Sequence, residues 1–352
     1  MRFRKLTIFL LLLLTSLTVQ AQLFKKEHGA TCATCHVEQA IPQPATQMAH
    51  AMELPEHNDV LSGNPRLTFH DGGYSYSVVT TKGHSVYDVS DGTKTICIPI
   101  VWAMGAQAQT WVLERNGNLY ESRVSYYPSI KGLAITTGDE RLVPKSIEEA
   151  VGRPIGMDEA KACFNCHATG SVTDHQLNLK ALHPGLSCER CHAGAHAHAV
   201  GMVAASASAP IPQSLGELTS EDLSNFCGQC HRSWETVVRS HWRGQADVRF
   251  QPYRLANSRC FNGADPRISC VACHDPHQQV VRDISYYDAK CLACHGQAST
   301  AIDASSTHPK ACPVAKSRCV TCHMPQESLP NGLLRFTDHQ IRVVKPDEPY
   351  PN

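Results

Sequence analysis

Apolar positions along the 352-residue chain fall into three regimes. A short unbroken run, from about Leu6 to Val19, follows Arg2, Arg4 and Lys5 and ends at Val19-Gln20-Ala21. From Leu67 to Tyr127, β-branched and aromatic residues recur in segments such as "YSYSVV", "HSVYDV", "TICIPIV", "TWVLE" and "NLYESRVSYY", which is the signature of strands. Asn116-Gly117 and "SDGT" at 90–93 are hairpin signals between them. Together they predict a small antiparallel sheet of four to six strands. Elsewhere polar, loop-like sequence is abundant, and aromatic residues make up only 7% of the chain, so an ordinary side-chain core is thin for this length. "TSEDLSNFCGQCH" predicts a short helix, with Thr219 or Ser220 as cap and acids in the first turn. "GMVAASASAPIPQSLGE" (201–217) reads as a linker.

The first run has the basic, apolar and small-residue regions of a secretory signal peptide, residues 1–21. It is shorter than the ~20 apolar residues of a membrane span, and no cysteine stands at the cleavage point for lipid attachment. The expectation is an exported, periplasmic protein without a transmembrane anchor once the leader is removed. Removal takes away three positive charges and no negative ones, moving the formal balance from 0 to −3. No block of Lys and Arg survives, so the electrostatic footprint of a nucleic-acid binder is missing.

Seventeen cysteines in an exported chain suggest disulfides, but their spacing points elsewhere. Cys-x-x-Cys-His occurs seven times: Cys32/Cys35/His36, Cys163/Cys166/His167, Cys188/Cys191/His192, Cys227/Cys230/His231, Cys270/Cys273/His274, Cys291/Cys294/His295 and Cys319/Cys322/His323. This is the attachment signature of c-type haem. Each thiol adds across one haem vinyl group, two intervening residues match the separation of the vinyls, and the following histidine lies beneath the iron. Structural zinc and redox dithiols also use Cys-x-x-Cys, but neither requires a histidine after every pair, and seven pairs do not divide into four-ligand zinc sites. Seven covalently attached haems c are the expected cofactors.

Thirteen further histidines remain, enough to give every iron a second imidazole. His277 lies three positions beyond His274, about 4.5 Å along a helix, too short a tether to reach round the porphyrin; as a ligand it would serve a neighbouring haem. The other candidates are His183 and His308, both followed by proline upstream of a motif, His198, with His196 as a rival, His339 in "FTDHQIRVV", His50 and His241. His28, His175 and Met48 are reserves, and His70 and His84 fall in strand-like sequence. Of the remaining cysteines, Cys97 is expected to be a buried thiol in a strand, and Cys260 with Cys312 a disulfide.

These features divide the mature chain into a first haem segment (22–60), a β-rich insert (61–145), haems two and three (146–200), a linker (201–218), and haems four to seven with a ligand-bearing tail (219–352). The fold class expected is mainly α, with extensive irregular loops wrapped around clustered haems and the small antiparallel insert. "GLSCERCHAGAHAH", "SCVACHDPH" and "CVTCHMP…FTDHQI" resemble the multihaem cytochromes c around cytochrome c-554 and the hydroxylamine-oxidoreductase-like proteins. The resemblance covers about 160–340 and implies distal-ligand roles for His198 and His277. Two functions emerge as expectations. The first is an electron carrier passing electrons through bis-histidine haems between redox proteins, with a membrane-bound quinol-oxidising or reductase complex among the candidate partners. The second is a reductase or oxidase of a small nitrogen or sulfur compound with one open haem; no Cys-x-x-Cys-Lys motif marks such a site, so no catalytic residue is assigned.

Overall fold

The computed structural model describes residues 32–206, 208–296, 312, 314–345 and 347–351. The leader, His28 and His308 lie outside the described residues. Nine strands form one antiparallel sheet: β1 (Met52–Glu53), β2 (Arg66–Asp71), β3 (Tyr74–Thr81), β4 (His84–Ser90), β5 (Thr95–Met104), β6 (Gln109–Arg115), β7 (Asn118–Tyr127), β8 (Gly132–Ile135) and β9 (Gly152–Ile155). β2 to β8 follow one another in sequence order, β1 adds to β5, and β9 adds to β7. β2 also packs near β8, so the sheet curls almost into a barrel.

This corrects the expected fold class. The chain is not mainly α with a small insert: a large, nearly closed sheet dominates it, drawing in residues on both sides of 61–145. The strands missed in the sequence, β1, β8 and β9, are two to four residues long and too short to show alternation.

The hairpin signals have their expected roles. Asn116 and Gly117 take φ of +54° and +76° between β6 and β7, the left-handed pair that a two-residue turn between twisted strands requires. Between β4 and β5, the Asp91 carboxylate accepts from the Thr93 and Lys94 amides.

Alternation places Ile96, Ile98 and Ile100 of β5 inside, with Tyr76, Tyr87, Trp111, Leu113 and Val124. A β-bulge at Val101 resets the register. Ala103 then faces inward, while Trp102 and Met104 turn to a second cluster with Phe164, as an inserted residue re-aims the side chains beyond it. Cys97 sits on the outer face opposite Asp88 and is exposed, not buried as expected. Trp111 is fully buried; Trp111→Ala is expected to cost about 3–5 kcal/mol, read as a lowered midpoint in denaturant unfolding followed by the sheet's circular dichroism.

Short helices carry most of the rest. Those bearing motifs are Met157–His167, Cys188–Cys191, Ser220–His231, Cys270–Cys273, Ile284–His295 and Cys319–His323, with a 3-10 turn at Cys32–Thr34. The linker expected from 201 is partly helical, since Ala195–Val203 runs into it. A C-terminal hairpin, Gln326–Ser328 with Arg335–Thr337, is tied to the sheet: Ser129 Oγ donates to Leu333 O at 2.9 Å, and Asn331 Nδ2 to Thr137 Oγ1 at 3.0 Å. Among the described residues, no helix is long and apolar enough to cross a membrane.

Candidate haem-binding site

Each motif is shaped by one turn of helix. The histidine amide donates back to the carbonyl of the first cysteine: His36 to Cys32 at 2.7 Å, His192 to Cys188 at 2.8 Å, His274 to Cys270 at 2.8 Å. This turn brings the two thiols together on one side, since residues three apart on a helix are neighbours. The helix Ser220–His231 forms as its sequence predicts, with Thr219 as cap: its hydroxyl accepts from the Asp222 amide at 3.1 Å.

All seven motifs are contiguous. The Cys32 and Cys188 thiols are neighbours, which joins the first motif to the third. Arg190 donates to Asn165 O at 3.0 Å and to Cys230 Sγ at 3.7 Å, joining the third to the second and fourth. Cys166 meets Cys230, and Cys227 meets Cys270. The helix Ile284–His295 then packs against both Cys270–Cys273 and Cys319–His323. Asp288, on that helix, accepts from the amides of Arg318 (2.7 Å) and Cys319 (2.8 Å), holding the start of the last motif.

Two of the expected haem-attaching cysteines differ from the rest. Cys35 and Cys322 are exposed, whereas the other twelve motif cysteines are half-buried. The reason is position: they are the second cysteines of the first and last motifs, at the two ends of the sequence of pairs. Among the described residues, neighbouring segments reach the first cysteine of each, Cys32 through Cys188 and Cys319 through Asp288, while the second is exposed.

The Cys319 and Arg318 amides hold the Asp288 carboxyl below its ordinary range. A carboxylate depressed in the folded state stabilises above its unfolded pKa, about 3.9, and loses that contribution as pH falls through the folded value. Asp288→Asn is therefore expected to flatten the acid limb of the melting-temperature profile below about pH 4, as differential scanning calorimetry would show.

Two pairs of histidine rings test what the thiols could hold. With nitrogen–metal bonds of about 2.0–2.1 Å, two imidazoles on opposite faces of one metal have ring centres roughly 6.3 Å apart. The rings of His192 and His277 stand 6.1 Å apart with 7° between planes, and those of His274 and His339 stand 6.2 Å apart at 41°. The residues therefore fit haem: each pair stands at the spacing two imidazoles would need to hold one iron between them.

Hydrogen bonding selects the free nitrogen. Nδ1 lies 2.9 Å from Ala51 O in His167, 2.9 Å from Arg342 O in His323 and 2.9 Å from Thr337 O in His339. In His198 it is 2.8 Å from Pro210 O, in His50 2.5 Å from Glu53 Oε1, and in His277 3.1 Å from Asp275 Oδ1. Carbonyls and carboxylates have no proton to give, so Nδ1 donates and the Nε2 lone pair is left for metal. Burial also lowers the pKa of His167, His192, His231, His274 and His339, the last to about 4, favouring the neutral imidazole that metals bind.

The alternatives fit less well. Among the described residues no three His, Cys, Asp or Glu side chains converge as a metal ion needs, whereas a haem asks the protein for only two axial groups. Burial raises the pKa of the Cys163, Cys191, Cys273 and Cys291 thiols, the opposite of an activated redox dithiol; Cys230, lowered to about 6, and Cys270, also lowered, owe their shifts first to thiols of other motifs, Cys166 and Cys227, and not to a partner within their own pair. Cys260 and Cys312 are both free, which corrects the expected disulfide; Cys260 sits instead in the field of Cys294 and Cys273.

Of the other candidates, His198 is half-buried and anchored while its rival His196 is exposed. His50, His175, His183 and His241 are exposed, and Met48 meets the third-motif segment through its carbonyl, which accepts from Leu186 N. Among the described residues, His36, His167, His231, His295 and His323 have no facing ring at the axial spacing.

Residues 134–193, which include the second and third motifs, match the family described as cytochrome c554 and c-prime. The match supports a c-type cytochrome with covalently bound haem. No curated protein and no solved structure matches the chain.

Residues that the sequence did not single out also serve the site. Asp288 and Arg190 join different motifs, Arg254 and Asp338 join the helix Gln251–Ala256 to the C-terminal loop, and no local pattern marks them.

Proposed function

We propose that this chain is an exported heptahaem cytochrome c that carries electrons between redox proteins, with bis-histidine ligation at its haems. The single observation that carries the reading is the pair of axial spacings, His192 with His277 and His274 with His339, within a contiguous run of motifs. Each haem iron, when bound, supplies one-electron oxidation and reduction. The chain's own part is to hold the cysteine pairs side by side, orient imidazoles through Nδ1 and exclude water from the buried histidines. The leader supports export, and the near-neutral charge balance supports protein partners rather than nucleic acid.

The test is an intact mass with an electron paramagnetic resonance spectrum of the oxidised protein. Seven haem additions and low-spin ferric signals alone are expected. A stoichiometric high-spin ferric component at neutral pH would favour the second reading, an oxidoreductase for a small nitrogen or sulfur compound; what speaks for that reading is the set of motif histidines without a facing ring. Colourless protein, or zinc in place of haem, overturns both.

A further inference from the structure

We propose that Arg254 and Asp338 are a positioning pair that holds His339 opposite His274, making the C-terminal tail a built part of the fifth-motif haem site; this rests on the bis-histidine reading above. Arg254 and Asp338 are the most deeply buried ion pair among the described residues, their side chains 2% and 0% exposed. The contact is two-pronged, Nε to Oδ1 at 2.8 Å and Nη2 to Oδ2 at 2.9 Å. Arg342 adds a third bond to Oδ2 at 2.6 Å. Arg254 also donates to Pro351 O at 3.0 Å, and its guanidinium lies 4.5 Å from the centre of the Tyr350 ring.

A buried ion pair is weak support for stability, because desolvation consumes most of the attraction; its best-attested use is to fix one arrangement against others. What it fixes here is one loop. Asp338 directly precedes His339, whose carbonyl accepts from Ser258 Oγ at 3.1 Å, and the same hydroxyl accepts from Ile341 N at 2.8 Å. His339 Nδ1 is turned to Thr337 O. Arg254 stands on the helix Gln251–Ala256, which packs on the fourth-motif helix, with Gln251 beside His231. Through that helix packing the pair pins the loop to a second haem-bearing segment. The loop's far end orients a third, where Arg342 O accepts from His323 Nδ1. Ligand-orienting partners of this kind are as much a part of a metal site as the ligands.

The experiment compares His339→Gly, Asp338→Asn, and the neutral double variant R254M with D338N, all as holoprotein with the haem number checked by mass. His339→Gly is expected to turn one haem from low-spin to high-spin ferric in electron paramagnetic resonance, with added imidazole restoring it. Asp338→Asn and the double variant are expected to show the same one-haem change, also reversed by imidazole, and a shifted midpoint potential for that haem alone. If His339→Gly leaves every haem low-spin, the ligand reading itself fails. If His339→Gly converts one haem but the double variant keeps the parent spectrum and potentials, the positioning proposal is overturned while the ligand reading stands. Should the neutral variants not accumulate with haem, Arg254→Lys is read instead, since it keeps the charge and loses the two-pronged contact. A low-spin signal changed at one haem supports the proposal, and an unchanged spectrum overturns it.

Discussion

Produced without haem, the chain is expected to keep its sheet and lose most of the structure C-terminal to it. Circular dichroism should retain the strand signal, and limited proteolysis should cut freely after about residue 200 while sparing roughly 52–167. The reason lies in where apolar side chains are buried. Eighteen buried residues form one continuous cluster in and against the sheet, from Leu61 to Val151. Beyond Ala168 the described residues contain one further buried cluster, of only three: Val237, Phe250 and Tyr253. Fixing each backbone residue costs about 1–2 kcal/mol, and three buried side chains cannot offset that over so long a segment.

The helix Met157–His167 is the discriminating case. It carries a haem motif, yet Phe164 lies edge-on to Trp102 of β5 with ring centres 5.1 Å apart, and Ala160 and Ala168 share that cluster. It should therefore survive in the haem-free chain while the helices Ser220–His231 and Ile284–His295 do not. A haem-free chain that resists proteolysis throughout would show that side chains alone form the second half's interior.

The same division explains what could be read from the sequence. Local rules were enough for the hairpin at Asn116-Gly117, the Thr219 cap and the seven cysteine pairs, because each depends on residues a few positions apart. The fold class was misjudged because the size of the sheet depends on long-range pairing. β9 joins β7 across the segment that contains β8, and the bulge at Val101 breaks the alternation that would have marked β5 as a continuous strand. Cys97 looked buried because its neighbours Ile96 and Ile98 are; it alternates outward between them. The exposure of Cys35 and Cys322 was hidden for a related reason: the motif is the same at every copy, and only packing between copies separates the covered thiols from the open ones. Arg254 and Asp338 lie 84 positions apart, and only the folded chain reveals them as partners. Tether length alone argues that His277, if it is a ligand, serves a haem other than that of His274, but nothing in the sequence says which.

The structure makes that choice testable. His277→Ala is expected to convert one haem to the high-spin ferric state, and that haem should belong to Cys188/Cys191, not to the adjacent Cys270/Cys273. The rings of His277 and His192 stand at the axial spacing and nearly parallel, and Asp275 holds His277 twice, through its amide at 2.9 Å and its Nδ1 at 3.1 Å. His274 meanwhile stands at the same spacing from His339, so under the proposed ligation His277 has no place at that iron. A double-mutant comparison assigns the effect. With Cys188 and Cys191 replaced by serine, so that the third haem is not attached, His277→Ala should add no high-spin signal. With Cys270 and Cys273 replaced instead, it should still add one haem equivalent. The reverse pattern would place His277 on the haem beside which it lies in sequence. The expected pattern would mean that the polypeptide between His274 and His277 links the third and fifth haem sites directly, so that a shift at either residue is felt at both irons.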